Sequence, residues 1–365
     1  MAVYESKRPT KDGRKYYFRI KYKDIFGEIH DYSSKKYKSR KDAVNEEAIY
    51  RIKISNNDTC TNNVTIDKIY QEYILTKKEK FKPQTIVRNN YLYLYLEPLK
   101  DKKINDINIS VYKKFRNELI KKECDADYKN KIQGLLKQII IYSNKYYNTS
   151  DSILKFIEPF KEANKIKEEM QFFTYEEYTK FDKVINNFEY HTFFETLYFM
   201  GLRQGEAQAL CWSDINFEKE EIKITKTLTT KIKGENWTIS SPKTKNSIRI
   251  LPLPKNLLED LKMLYNKAKA YKDFSKEWFI FGNTIPFKET TICKKKNKYC
   301  ELADVKQIRI HDFRHSCASL LINKGASIVL VSKYLGHANI SITLNTYTHM
   351  YKSELENITN LLNNL

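Results

Sequence analysis

The chain has 365 residues, 41% of them hydrophobic, and a formal net charge of +20 at pH 7. This length exceeds one ordinary domain, so two or three domains are expected. The charge predicts a polyanionic partner, because binding to DNA or RNA releases counterions from the phosphates. A basic surface that only maintains solubility is the alternative.

Membrane and secreted proteins are disfavoured by the same sequence. No segment approaches the roughly 18 consecutive apolar residues of a membrane span, and the N-terminus has no apolar signal core. Six cysteines show no paired spacing, and Cys293 and Cys300 lie seven positions apart, too far for a CxxC zinc knuckle. We therefore expect a soluble intracellular protein with free thiols and no metal site.

Residues 1–58 predict a small β-rich DNA-binding domain. Two strand-like runs, KYYFRIKYKD and GEIHDYSSKKY, flank the turn candidate DIFGE, and a helix follows from Ser39. Lysines and arginines outnumber acidic residues 15 to 8 over residues 1–55. The candidate DNA contacts here are Lys15, Arg19, Lys36, Lys38 and Arg40. The alternative is a β-hairpin that only caps the next domain.

Residues 64–158 predict a helical domain after a polar linker, SNNDTCTNN. Four runs have helical periodicity: TIDKIYQEYIL, PQTIVRNNYLYLYL with Pro83 in its first turn, VYKKFRNELIKK, and YKNKIQGLLKQIIIYSNKYY. Such a bundle could press lysine-rich faces on a DNA duplex. Lys82 and Arg88 are the candidate contacts.

Residues 170–365 predict a third domain that mixes helices with small sheets. A weakly patterned stretch from Pro159 to Met170 precedes it, and Thr174 with Glu177 indicates a capping box. Helices at 190–210 lead to the strand-like runs EIKITKTLTT, WTISS and SIRILPLP, and further helices follow. The fold class is therefore multidomain and mainly α, with small β-sheets.

Four stretches of this third domain could supply metal-independent phosphodiester chemistry, which needs a nucleophile, cationic donors for the phosphate oxygens and a proton for the leaving oxygen. Arg203 follows an apolar helix that ends at Gly201, and Glu206 begins the next helix. Lys243 lies in a turn between strands, where Lys245 competes for the same role.

The other two stretches lie nearer the C-terminus. His311 and Arg314 share a helix start, where the helix dipole favours a phosphate. His315 is expected in a supporting role. Gly336 ends a short helix before His337, and Ser341 is expected to cap a helix that bears Tyr347. Tyr347 is one of 27 tyrosines, so only its neighbours single it out.

The four stretches, in this order, resemble the signature of the tyrosine recombinase (phage integrase) family. The matching pieces are GLRxGE at 201–206, PKTxxSxR at 242–249, HDFRH at 311–315 and LGHxxIxxTxxxY at 335–347. The resemblance covers roughly the C-terminal half of the chain, about 175 residues, and its order and spacing are highly specific. The two N-terminal units are similar in architecture to the family's arm-binding and core-binding domains.

The resemblance implies a role for each matching residue. Arg203 and Arg314 would hold the phosphate oxygens, and Tyr347 would attack phosphorus to form a 3′-phosphotyrosyl bond. Lys243 would protonate the leaving 5′-oxygen, His311 would assist proton movement at the tyrosine, and His337 would hydrogen-bond the phosphate. Glu206 would orient the arginine and histidine. No metal or cofactor is implied, because the covalent ester conserves the bond energy for rejoining.

Two alternatives concern the C-terminus. Tyr347 follows His337 by ten positions, where many family members have nine, so Tyr351 is a rival nucleophile. The run SELENITNLLNNL has apolar residues at helical spacing, which predicts an exchange helix over about 353–365. That helix would dock on a neighbouring protomer, as in the family's synaptic tetramer, or fold back on its own domain.

The resemblance thus implies the integrase of a phage or integrative conjugative element, working in the cytosol of a bacterial host. Its expected partners are double-stranded DNA with core and arm-type sites, three further copies of itself in a homotetramer, and accessory DNA-bending or directionality factors. A resolution or inversion recombinase, a type IB topoisomerase and a non-catalytic DNA-binding relative are the alternatives.

Overall fold

The structure is a computed structural model that describes residues 3–23, 29–55, 64–161, 170–229, 237–241, 245–337 and 339–347. The chain divides into two compact units, residues 1–166 and 167–365. Several predicted features lie outside the described residues: the turn at 24–28, most of the linker, Lys243, Tyr351 and the C-terminal helix. In the part of the chain that is described, no helix is both long and apolar enough to cross a membrane.

The first unit begins with a three-stranded antiparallel sheet in the order β1-β2-β3. Its elements, with the helix that follows, are β1 (Val3–Glu5), β2 (Tyr16–Lys23), β3 (Ile29–Ser33) and α1 (Arg40–Ser55). Side chains of β2 alternate: Phe18, Ile20 and Tyr22 are buried, whereas the residues between them are exposed. This period of two is the strand pattern that the sequence showed. The three residues of β1 are too few to show it.

The rest of the first unit is helical. Its helices are α2 (Ile66–Lys77), α3 (Pro83–Tyr93), α4 (Ile109–Ile120) and α5 (Ala126–Tyr147). Three of them begin at a side-chain cap, Thr65, Asn108 or Asp125, and α3 begins at Pro83, so the local sequence sets each start. The expectation that the second helix continues to residue 96 is wrong: Leu94–Leu99 is a 3-10 helix that contains Pro98. Proline disfavours α-helical backbone just before it.

The second unit packs helices around small antiparallel sheets. Its elements are α6 (Tyr175–Lys183), α7 (Phe188–Met200), α8 (Gln204–Gln208), β4 (Ile215–Asn216), β5 (Glu221–Ile224), β6 (Thr227–Thr229), β7 (Thr238–Ser240), β8 (Arg249–Pro252), α9 (Lys255–Lys269), α10 (Glu289–Leu302), α11 (Asp312–Asn323), α12 (Ile328–Leu335) and α13 (Ile340–Tyr347). The sheets have the orders β4-β5-β8 and β6-β7.

Local signals explain several boundaries of this unit, and three expectations need correction. The capping box is present in full, since Thr174 and Glu177 bond reciprocally at the start of α6. The run EIKITKTLTT forms two strands, β5 and β6, in different sheets. Helix α8 begins at Gln204, before Glu206. Helix α13 begins at Ile340, so Ser341 does not cap it; Asn339 Oδ1 accepts from the Ser341 amide at 2.9 Å.

Helix α7 lies at the centre of the second unit. It is apolar on nearly all sides and contributes Phe193, Phe194 and Leu197 to a core that also holds Phe313 of α11. The helix ends at Gly201, whose left-handed backbone (φ 58°) turns the chain sharply. A Cβ at Gly201 would lie 2.5 Å from Leu335 Cδ2 and 3.0 Å from Cys317 Sγ. The turn that precedes Arg203 is thus fixed by packing against α11 and α12.

Candidate active site

Arg203 lies at the N-cap of α8, immediately after the turn that ends α7. Its Nη1 donates to Glu206 Oε1 at 2.7 Å, and its backbone amide donates to Glu206 Oε2 at 3.1 Å. The Arg203 side chain is 38% exposed, whereas that of Glu206 is 2% exposed. The carboxylate therefore fixes both the backbone and the guanidinium of Arg203, while part of the guanidinium stays open to a ligand.

Arg249 is a second cation on Glu206. Its Nη2 lies 3.1 Å from Glu206 Oε2, and its Nε donates to the Tyr334 carbonyl at 2.9 Å. Burial opposes ionisation of Glu206, but Arg249 and Arg203 lower its pKa below the ordinary value. Arg249 thus joins β8, α8 and the end of α12. Arg249 was not predicted as a site residue, although it is the last residue of the PKTxxSxR stretch.

Arg314 is the most buried cation of the group, at 2% exposure. Its Nη1 donates to the Gly201 carbonyl at 2.8 Å, and its Nη2 has no hydrogen-bond partner among the described residues. Burial and the charge of Arg203 lower the pKa of Arg314. A guanidinium stays protonated in proteins, so this site holds a buried, incompletely satisfied positive charge. Such a charge demands an anion.

Three histidines surround this charge. His311 is the N-cap of α11, and its ring centroid lies 5.2 Å from that of His315 in an edge-to-face arrangement. Desolvation, Arg314 and Arg203 lower the pKa of His311. Burial, together with neighbouring histidine and arginine charges, lowers the pKa of His315 and of His337 to about 4. All three rings are therefore neutral near pH 7 and can accept as well as donate a hydrogen bond.

Tyr347 lies at the C-terminal end of α13 and is 1% exposed. Its hydroxyl lies 2.5 Å from His315 Nδ1. Burial raises the pKa of Tyr347, and Arg314 opposes that rise. From the family resemblance, His311 was expected to assist proton movement at the tyrosine, and His315 was expected in a supporting role. The structure instead brings His315 to the hydroxyl, and His311 contacts the ring of His315.

His337 connects the turn after α12 to the helix of Tyr347. Its Nδ1 lies 2.6 Å from Thr343 Oγ1, and Thr343 is fully buried one turn before Tyr347. Gly336, directly before His337, has a φ of 71°, and a Cβ there would lie 2.8 Å from the Asn246 carbonyl oxygen. The glycine thus lets the turn approach the segment that follows Lys243. Thr343 is a further residue that the sequence analysis missed.

Lys243 lies outside the described residues, but its flanking chain reaches the site. The 3-10 helix Lys245–Ser247 follows it, and Asn246 Nδ2 lies 3.5 Å from the His337 carbonyl. Among the residues that the structure describes, the site therefore brings together seven predicted side chains: Arg203, Glu206, His311, Arg314, His315, His337 and Tyr347. Cationic donors, neutral imidazoles and a hydroxyl in one place can bind a phosphate and move a proton.

The predicted DNA contacts of the first unit have varied surroundings. Lys15 pairs with Glu5 at 2.6 Å, Arg19 pairs with Asp31 at 2.8 Å, and Lys36 donates to the Arg8 carbonyl at 2.6 Å. Lys38, Arg40 and Arg88 are exposed, and Lys82 is the half-buried N-cap of α3. These residues stay predictions as DNA contacts.

The comparison with protein families matches residues 168–354 to the phage integrase family. Two relatives match more than half of the chain. A tyrosine recombinase XerC-like protein of Caldanaerobacter subterraneus subsp. tengcongensis is 29% identical over 311 residues, 78% of this chain and 78% of the relative. The ICEBs1 integrase of Bacillus subtilis is 31% identical over 208 residues, 54% of this chain and 56% of that protein.

Solved structures show the same fold. A Tn1549 transposon integrase in complex with a circular intermediate DNA has a TM-score of 0.66 and 21% identity, and the match covers 80% of this chain and 99% of that one. A lambda integrase tetramer bound to a Holliday junction has a TM-score of 0.57 and 16% identity, over 92% and 95% of the two chains. At these identities the similarity is one of fold.

Proposed function

The chain belongs to the phage integrase family of tyrosine-type site-specific DNA recombinases, and from this membership we propose that it cuts and rejoins DNA with Tyr347 as the nucleophile. The observation that carries the assignment is the buried guanidinium of Arg314. Its Nη2 has no partner among the described residues, and its charge acts on Tyr347 and on three histidines. A DNA phosphate supplies the anion that this position needs.

The proposed reaction begins with a phosphate held by Arg203 and Arg314. The Tyr347 oxygen attacks phosphorus, its proton passes to neutral His315, and the bond to the 5′-oxygen breaks. Lys243 gives a proton to that leaving oxygen, so the products are a 3′-phosphotyrosyl ester and a 5′-hydroxyl. Attack on the ester by the 5′-hydroxyl of another strand reverses each step and rejoins the DNA.

The other site residues position these groups. Glu206 holds Arg203, and Arg249 holds Glu206 against β8 and α12. His337 adds a hydrogen bond to the phosphate while its Nδ1 stays near Thr343. Tyr347 is almost fully buried, so a phosphate reaches its hydroxyl only when α13 shifts outward. DNA binding would supply the free energy for that shift.

We further propose that the protein is the integrase of a mobile element and acts as a homotetramer on core and arm-type DNA. The relatives named for ICEBs1 and Tn1549 support the element, and the lambda integrase tetramer supports the assembly. The basic sheet and helix of residues 3–55 support an arm-type site. Accessory bending or directionality factors complete the proposal, and a resolution or inversion recombinase is the alternative with the same chemistry.

The decisive experiment uses DNA that carries the ends of the element, nicked near the cleavage point so that the cut strand cannot be rejoined. The wild-type chain is expected to form a covalent protein–DNA adduct that survives denaturation. Tyr347→Phe should bind the same DNA and form no adduct, whereas Tyr351→Phe should form it normally. An adduct that persists in Tyr347→Phe and disappears in Tyr351→Phe would transfer the nucleophile's role to Tyr351.

A further inference from the structure

A second cluster of ionisable side chains lies at the opposite end of α7 from Gly201. His191 and Glu195 are one turn apart on α7, Asp182 comes from α6 and Asp260 from α9. His191 Nδ1 lies 2.7 Å from Asp182 Oδ1, and His191 Nε2 lies 3.0 Å from Asp260 Oδ2. Gly201 follows His191 by ten positions, about 15 Å at the helical rise. The cluster is therefore separate from the proposed phosphate site.

Glu195 is the residue that this local structure does not satisfy. It is 6% exposed, and its Oε2 has no hydrogen-bond partner among the described residues. Two carboxyl groups that approach each other inside a protein need a proton or a cation between them. The unpartnered Oε2 of Glu195 is therefore a candidate ligand atom for a cation.

The geometry matches the ligand set of a transition metal. One ligand atom from each of His191, Glu195 and Asp260 lies within 4.8 Å of the other two, so small side-chain movements would bring all three to the distance of about 2.0–2.2 Å that a Zn²⁺ ligand needs. The bond from His191 Nδ1 to Asp182 would leave Nε2 for the ion, which is the usual carboxylate–histidine–metal arrangement. A mixture of imidazole and carboxylate ligands suits Zn²⁺.

We propose that His191, Glu195 and Asp260 bind one Zn²⁺ ion, and that Asp182 orients the imidazole. The ion would replace the direct contact between His191 and Asp260 and would ligate the unsatisfied Glu195 carboxylate. Its place between α7 and α9, with α6 attached through Asp182, makes it a structural site. It would fix the start of the helix whose far end carries the turn to Arg203.

Metal binding by the full chain tests this proposal after treatment with a chelator. Isothermal titration with Zn²⁺ should give one strong site, and Zn²⁺ should raise the melting temperature by several degrees through linkage. Glu195→Gln and Asp260→Asn should each weaken binding by at least about 100-fold, and Asp182→Asn by roughly 10- to 100-fold. Glu259→Gln, which removes an exposed carboxylate beside Asp260, should bind as the wild type does.

Two controls keep the result specific. Glu195→Gln keeps the size of the side chain and removes only its charge, so the melting temperature without metal shows whether the variant folds. Bound Co²⁺ should show no sulfur-to-metal absorption, which excludes the cysteines as ligands. The proposal is overturned if the wild type binds no Zn²⁺, or if it and Glu195→Gln bind equally. A proton shared between Glu195 and Asp260 would then complete the cluster.

Discussion

Arg249 Nη2 lies 3.1 Å from Glu206 Oε2, and both side chains are almost fully buried, at 7% and 2% exposure. The other Glu206 oxygen holds Arg203. Loss of one partner of a buried ion pair typically costs about 3–5 kcal/mol, and the lower end of that range applies here because Arg203 still pairs with Glu206. Arg249→Met should therefore lower the free energy of unfolding by about 3 kcal/mol, measured by urea denaturation, and should slow adduct formation on nicked DNA.

The matched control removes the charge that Arg249 leaves behind. Glu206→Gln combined with Arg249→Met should be less destabilised than the sum of the single variants, because no buried carboxylate oxygen is then left without the hydrogen bond of Arg249. An Arg249→Met protein as stable as the wild type would contradict this account of the pair.

In contrast to Arg249, Arg314 is expected to lower the free energy of unfolding. Its buried Nη2 has no partner among the described residues, so the folded protein bears the cost of desolvating a charge without a full set of hydrogen bonds. Arg314→Met should unfold at the same or higher urea concentration than the wild type. Its rate of adduct formation should fall by at least about 100-fold, the usual loss on removing a donor to the transition state.

The control for Arg314→Met is Lys324→Met, which removes an exposed positive charge at the other end of the same helix. Its cleavage rate and DNA affinity should stay close to wild type. If Arg314→Met loses DNA binding in parallel with cleavage, the arginine is a general phosphate contact and not a stabiliser of the transition state.

How far the sequence predicts this site depends on the range of the interactions. Gly201 and Gly336 end helices through local backbone preference, and the residues after them were found from sequence. By contrast, Arg249 meets Glu206 across 43 positions and His315 meets Tyr347 across 32, and no local pattern specifies such contacts.

The long sequence separation between contacting residues also explains why no metal site was predicted at the second cluster. His191 and Glu195 have an ordinary one-turn helical spacing, and Asp260 joins them only through the packing of α9 on α7. In the first unit, Pro98 was a visible signal that the sequence analysis did not apply to the end of the second helix.

Gly205 tests the close approach of α8 to β6. A Cβ there would lie 2.6 Å from both the Leu228 carbonyl oxygen and Thr227 Oγ1. Gly205→Ala should therefore lower the free energy of unfolding by about 1–3 kcal/mol, as overpacking does, and should slow cleavage because Arg203 lies two positions before it and Glu206 directly after it.

The matched glycine is Gly134, inside α5, where an added Cβ meets nothing within 4 Å. Gly134→Ala should stabilise the protein by up to about 1 kcal/mol through helix propensity. Equal effects of the two substitutions would show that the contact with β6 does not matter.

The arm-binding proposal predicts a change in the salt dependence of DNA binding. Both Lys38 and Arg40 are exposed; Lys38 lies just before α1, and Arg40 is its first residue. If each contacts a phosphate, replacing it with glutamine should reduce the slope of log K against log salt by about 0.9. Lys262→Gln, an exposed lysine on α9 of the other unit, should leave the slope for arm-type DNA unchanged.

His337 predicts how stability depends on pH. Burial, Arg314 and Arg203 lower its pKa to about 4, below its ordinary value of 6.5, so between these values the unfolded chain binds the proton that the folded chain excludes. The contribution of neutral His337 to the free energy of unfolding is therefore complete above pH 6.5 and is lost as the pH falls toward 4, by at most about 1.4 kcal/mol per pH unit.

His337→Gln removes this dependence, so between pH 6.5 and 5 its free energy of unfolding should fall less steeply than that of the wild type. His315→Gln should behave in the same way, because the pKa of His315 is also lowered to about 4. Parallel curves of unfolding free energy against pH for all three proteins would show that these imidazoles already bind protons in the folded state. His315 would then be charged and could not accept the proton of Tyr347.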